Sequence, residues 1–109
     1  MKNIKKTSSR EIVIQSLELI IHDITMRVTD YFEDHNLVPS VLVLHYHNVF
    51  KGSHQKSESL YLTQPIESFR ISIEEKVVSL LNSVTDAELF PLIHIGLSCR
   101  YFKPIAQGI

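Results

Sequence analysis

Six histidines, twelve carboxylates and one cysteine are the groups in this chain with chemistry to offer. His45 and His47 stand two residues apart, so a strand would project both from one face. With His94 or His54 they could compose a small metal site, since imidazole is a ready ligand. No carboxylate or cysteine sits nearby in sequence to complete such a set, and exposed histidines on a sheet are common. No metal is therefore expected. Asp23, Asp30, Glu33 and Asp34 could in principle work as acid and base or hold magnesium. They fall on the polar side of an amphipathic segment, where a solvated face accounts for them. Serine, histidine and aspartate are all present, but no Gly-x-Ser-x-Gly elbow accompanies them. The only glycines are Gly52, Gly96 and Gly108, too few and too scattered for a phosphate-cradling loop or a dinucleotide fingerprint. The residues point to no catalytic centre and no cofactor.

Composition narrows the class. A chain of 109 residues is enough for one domain. With 44% hydrophobic and 21% charged residues it can bury an ordinary core. The most apolar stretch, Ile12 to Ile24, is broken by Gln15, Glu18, His22 and Asp23, so no membrane span is expected. The N-terminus has no apolar region behind its lysines and does not read as a secretory signal. A lone Cys99 cannot form an internal disulfide or a cysteine-based zinc site. It reads as a buried structural residue, consistent with a reducing, intracellular compartment. Eleven Lys and Arg against twelve Asp and Glu leave a net charge of −1. That balance counts against a free-standing nucleic-acid binder. It still allows a local basic surface on one face.

These side chains must be positioned by an alternation of helices and strands. Ser8-Ser9-Arg10-Glu11 fits a capping box, with Ser8 as N-cap. Leu17, Ile20, Ile21, Ile24, Val28 and Tyr31 or Phe32 then recur at three- and four-residue spacing. The spacing predicts a helix over about residues 9–34, closed by Asn36 and Pro39. Ser40 to Val49 predicts a strand, apolar on both faces at first and alternating later. Lys51 to Ser57 reads as a polar loop, and Ser59 to Thr63 as a short second strand of a hairpin. Ser72-Ile73-Glu74-Glu75 is a second capping box. Val77, Leu80, Leu81 and Val84 form the stripe of a second helix, over about residues 72–85. In Leu92 to Phe102 the odd positions Ile93, Ile95, Leu97, Cys99 and Tyr101 are apolar, the clearest strand signal in the chain. Residues from Lys103 or Pro104 onward read as a frayed tail.

The expected fold is α+β: an antiparallel sheet with both helices on one face. That face should receive Leu42, Leu44, Leu60, Leu62, Ile93, Ile95 and Leu97. The other should receive His45, His47, Ser59, Tyr61, Thr63, His94, Ser98 and Arg100, with Lys51, His54 and Lys56 on the adjoining hairpin. Short donors and a few cations are what positioning contacts to phosphate require. A face polar for solubility alone is the competing account.

At this point the order of elements resembles a known family. The long helix followed by Val38-Pro39-Ser40-Val41-Leu42-Val43-Leu44, the hairpin and second helix, and Pro91-Leu92-Ile93-His94-Ile95-Gly96-Leu97-Ser98 together look like the little finger, or polymerase-associated domain, of Y-family translesion DNA polymerases. The eukaryotic eta-type branch is the most similar. The resemblance implies a (β)αββαβ domain whose first strand only Lys2 to Thr7 could supply. A split β-α-β sheet would place that strand centrally. It implies a nuclear, monomeric, non-catalytic domain, tethered by a linker to the polymerase core. Such a domain holds the duplex DNA backbone in the major groove without sequence specificity. Magnesium would belong to the palm of the parent enzyme, which nothing in this sequence resembles. By position on the sheet, the resemblance implies DNA contacts from Lys51, Lys56, Ser59, Tyr61, His94, Ser98 and Arg100. An α+β interaction domain that takes a peptide or partner at a sheet edge remains the alternative, and a small histidine-based enzyme is a third class.

Overall fold

A computed structural model of the chain describes the backbone of residues 2–7 and, with side chains, residues 10–105. The elements are β1 (Lys2–Thr7), α1 (Arg10–His35), β2 (Leu37–Asn48), β3 (Gly52–Ser59), one 3-10 turn (Ile66–Ser68), α2 (Phe69–Asn82), the short α3 (Asp86–Leu89) and β4 (Leu92–Pro104). The fold is α+β. The four strands form one antiparallel sheet in the order β1-β4-β2-β3.

Helix α1 forms because its apolar residues share one face. Val13, Leu17, Ile21, Ile24, Val28 and Phe32 are its buried residues. The proposed cap at Ser8 lies outside the described residues. At the other end Asn36 takes the left-handed conformation, φ 57°, and its N–H donates to the Phe32 carbonyl at 2.7 Å. Asparagine tolerates this conformation better than most side chains, so it closes the helix as expected. Against α1 pack Phe69, Ile73, Val77, Leu80 and Leu81 of α2, and both helices bury the same sheet face with Leu42, Leu44, Tyr46, Leu92 and Ile95. Leu60 and Leu62 join this core from the chain that follows β3.

Several expectations are corrected. The first strand pairs only with β4, so it is an edge strand and not a central one. Its lysine-rich sequence suits an edge, where charge discourages pairing with another chain. The second hairpin strand spans Gly52–Ser59, where a loop was expected, and residues 60–62 lie beyond it. An edge strand with no apolar side chain carries no hydrophobic alternation to read. Between β2 and β3 the turn is built by Asn48, whose Oδ1 accepts from the backbone N–H of Phe50 (2.8 Å) and Lys51 (3.0 Å). Gly52, at φ +80°, then supplies a conformation that L side chains rarely adopt.

Helix α2 begins three residues before Ser72, so Ser72 is an interior residue and not a cap. Phe69, fully buried, anchors its first turn. The genuine capping box is Thr85 with Glu88, at the start of α3. In β4 the register shifts between His47 and Asn48, which pair with His94 and Leu92. This bulge carries Leu92 into the core in place of Ile93. Leu97 packs against the core but is only partly buried. The strand continues to Pro104, paired with Leu37, and Ile105 packs on the core, so the tail is ordered further than expected. Residues 106–109 lie outside the described residues. Among the described residues no helix is long and apolar enough to cross a membrane.

Candidate functional site

Strand register decides which side chains share the face away from the helices. Leu44 pairs with Leu97 and Lys56, and Leu42 with Cys99 and Glu58, so these positions belong to the helix side. The alternate set, on the open face, comprises Val41, Val43, His45 and His47 of β2; Ser53, Gln55, Ser57 and Ser59 of β3; and His94, Gly96, Ser98 and Arg100 of β4.

The residues expected from sequence divide accordingly. Ser59, His94, Ser98 and Arg100 do lie together on the open face. Tyr61 does not belong to the sheet. It follows β3, is largely exposed, and lies 5.7 Å from Lys103 Nζ in a cation–π arrangement. Lys51 and Lys56 are on the hairpin, but their ammonium groups turn toward the helical layer. Lys51 Nζ donates to the Ala87 carbonyl at 3.1 Å, and Lys56 Nζ to the Ser83 carbonyl at 3.2 Å. The register of β3 puts Lys56 beside Leu44, which explains its direction. His54 likewise stacks on Tyr46, with ring centroids 5.6 Å apart. Gln55, Ser53 and Ser57 were missed, because an all-polar strand reads as a loop.

Side chains on the open face are tied to one another. His45 Nε2 and Ser98 Oγ are 2.7 Å apart, as are His47 Nδ1 and Ser53 Oγ. Arg100 reaches Gln55 Oε1 at 3.4 Å, a long contact, and among the described residues it is in no ion pair. His47 and His94 face each other across β2 and β4, ring centroids 5.8 Å apart and nearly perpendicular. Burial of the His45 imidazole, helped by the Arg100 charge, holds its pKa below the usual histidine value. Cys99, on the helix side, has its thiol pushed up to about 12 by burial, which makes it a packing residue and not a nucleophile. No group of three or more metal-ligating side chains occurs among the described residues.

Charge is sorted by layer. Eleven of the twelve carboxylates lie on α1, the 3-10 turn, α2 and α3, together with four cations, Arg10, Arg27, Arg70 and Lys76. The strands and the hairpin turn carry the other seven cations and one carboxylate, Glu58. The helical elements therefore sum to −7 and the strands with the turn to +6, which together give the net −1. Glu58 pairs with Leu42 and so belongs to the helix side. Strands β2, β3 and β4 thus place no carboxylate on the open face. No known protein family and no curated protein matches this chain.

Proposed function

We propose that this chain is a non-catalytic DNA-binding domain that grips the duplex backbone with its open sheet face. The reading extends to the little finger of a Y-family translesion polymerase of eta type, tethered to a catalytic core and acting in the nucleus during lesion bypass. One observation carries it: a sheet face on β2, β3 and β4 without carboxylates, where hydroxyls, imidazoles, Gln55 and Arg100 surround Val41 and Val43, in a molecule whose acidic groups nearly all lie on the helical elements. The sequence of main elements, β-α-β-β-α-β with the short α3 before the last strand, is the one expected of such a domain, although β1 lies at the sheet edge and not at its centre. Short donors such as Ser59, Ser98 and His94 suit phosphate oxygens, and such contacts hold a duplex without reading its sequence. Magnesium and nucleotidyl transfer would reside in a palm domain of the same enzyme.

Arg100 is the leading contact, because its planar guanidinium can hold two phosphate oxygens with parallel bonds. The isolated domain should bind duplex weakly, with a dissociation constant of about 10⁻⁴ to 10⁻⁶ M. Arg100→Ala should weaken binding to all sequences alike and reduce the salt slope by about one unit. Lys51→Ala and Lys56→Ala should do less, since both ammonium groups are engaged by helix-side carbonyls. Fluorescence anisotropy across a salt series measures all three. Absence of binding at low salt would remove the DNA reading and favour a peptide partner at a sheet edge, for which salt dependence is small.

A further inference from the structure

On the open face of β2, β3 and the stretch His94–Arg100 of β4, Arg100 is the one permanent cation, while three imidazoles, His45, His47 and His94, stand together on adjacent central strands. We propose that these three histidines form a phosphate-binding subsite that takes up protons as it takes up the nucleic-acid backbone. This rests on the DNA reading above and adds to it the source of the charge.

The geometry supports a single subsite. His47 is directly opposite His94, and His45 is opposite Gly96, which adds no side chain between His94 and Ser98. The four side chains His45, His47, His94 and Ser98 are therefore grouped around Gly96, which is itself buried and adds no side chain of its own. In His47 the Nδ1 is engaged by Ser53, leaving Nε2 for a ligand. In His94 the Nδ1 is buried and has no partner among the described residues, so Nε2 is the nitrogen that could meet a ligand. In His45 the Nε2 meets Ser98 Oγ, and a protonated ring would donate to that oxygen and turn the hydroxyl hydrogen outward.

The surroundings leave the protonation to the ligand. From β2 no charged group joins these rings. From β3 the facing residues are Ser53, Gln55 and Ser57, while its Glu58 and Lys56, and Lys51 of the turn before it, are on or turned toward the helix side. From β4 the facing charge is Arg100, which opposes protonation of His45. β1 pairs with β4 beside His94 and carries three lysines, Lys2, Lys5 and Lys6, and no acidic residue in its sequence. With no carboxylate among them, nothing on β2, β3 or β4 favours imidazolium before a ligand arrives. A phosphodiester within about 4–6 Å would, because an opposite charge stabilises the protonated form. Imidazole is the side chain whose charge a neighbouring anion most readily changes near neutral pH, so the coupling is open to measurement there.

The test is duplex binding followed by anisotropy with a pH-insensitive dye, between about pH 7.5 and pH 5.5 at fixed salt. Affinity should rise as pH falls, by up to about tenfold per pH unit for each coupled proton. The triple substitution His45→Gln, His47→Gln and His94→Gln keeps polar side chains and should flatten the profile. Changing His22 and His35 on α1 to Gln should leave it unchanged. Titration calorimetry on the unaltered protein, in buffers of different ionisation enthalpy, should show net proton uptake and does not depend on the variants folding. Binding that is independent of pH, with no proton uptake, would overturn the proposal while leaving the DNA reading in place. No binding at any pH would remove both.

Discussion

His45 shows how one side chain links solvent, fold and ligand. Its imidazole is partly buried beside Arg100, so the folded protein favours the neutral ring and the unfolded chain does not. The unfolded state therefore holds more protons once pH falls below its own pKa, near 6.5. The stability tied to neutral His45 is fully present above that pH and is lost as pH drops through the depressed folded value. Urea unfolding should accordingly show a lower midpoint at about pH 5 than at pH 7.5, and His45→Gln should reduce that difference. An unchanged difference in the variant would mean that the acid sensitivity lies elsewhere. The same residue would behave in the opposite sense with phosphate bound, since a ligand that prefers the charged ring offsets the cost of charging it.

At the scale of elements, Asn48 joins three of them. It is almost fully buried, and its amide donates to the carbonyls of Glu88 (3.2 Å) and Phe90 (2.8 Å) while its oxygen receives the Phe50 and Lys51 amides. Asn48→Ala would strand four backbone groups at the junction of β2, α3 and β4, and should cost on the order of 2–4 kcal/mol in a chemical-denaturation experiment. A loss within about 0.5 kcal/mol would mean that water replaces the amide, as it does at surface sites. This junction was not legible in the sequence, where Asn48 is one polar residue after a strand. Long apolar periodicities were legible: α1 was placed to within a residue or so, and Leu42, Leu44 and Ile95 were assigned to the core, because helix stripes and strand alternation survive in composition. Polar elements were not. Strand β3 presents Ser53, Gln55, Ser57 and Ser59 on one side and His54, Lys56 and Glu58 on the other, so its alternation has no hydrophobic signature. The pattern Ser-x-x-Glu at Ser72 was misleading because the burial of Phe69 outweighs a local cap. For the candidate site, Ser59, His94, Ser98 and Arg100 followed from strand parity alone. The directions of Lys51 and Lys56 required the register of an edge strand that the pattern did not reveal.

For the molecule as a whole, a net charge of −1 conceals an uneven distribution by element, −7 on the helical elements and +6 on the strands with the hairpin turn, whose Lys51 and Lys56 lean toward the helices. Seen from several diameters away such a body is nearly neutral. Nearer a polyanion it behaves as a compass needle, because the field gradient exerts a torque before any surface touches. On the DNA-binding proposal the strand layer would turn toward the phosphates and the helical layer away from them, so fewer encounters would be spent in wrong orientations. Association with duplex should therefore slow as salt shortens the range of that torque, even though the formal charge product with DNA is slightly repulsive. Stopped-flow mixing at two ionic strengths measures this, and an association rate indifferent to salt would show that the two layers do not act as poles. A second consequence concerns evolution of the surface. Substitutions that add acid to α1 or α2 should leave the encounter intact or sharpen it, because they deepen the pole that points away from the duplex. The same change on β4 would erase the needle's other end, and with it the sense of direction.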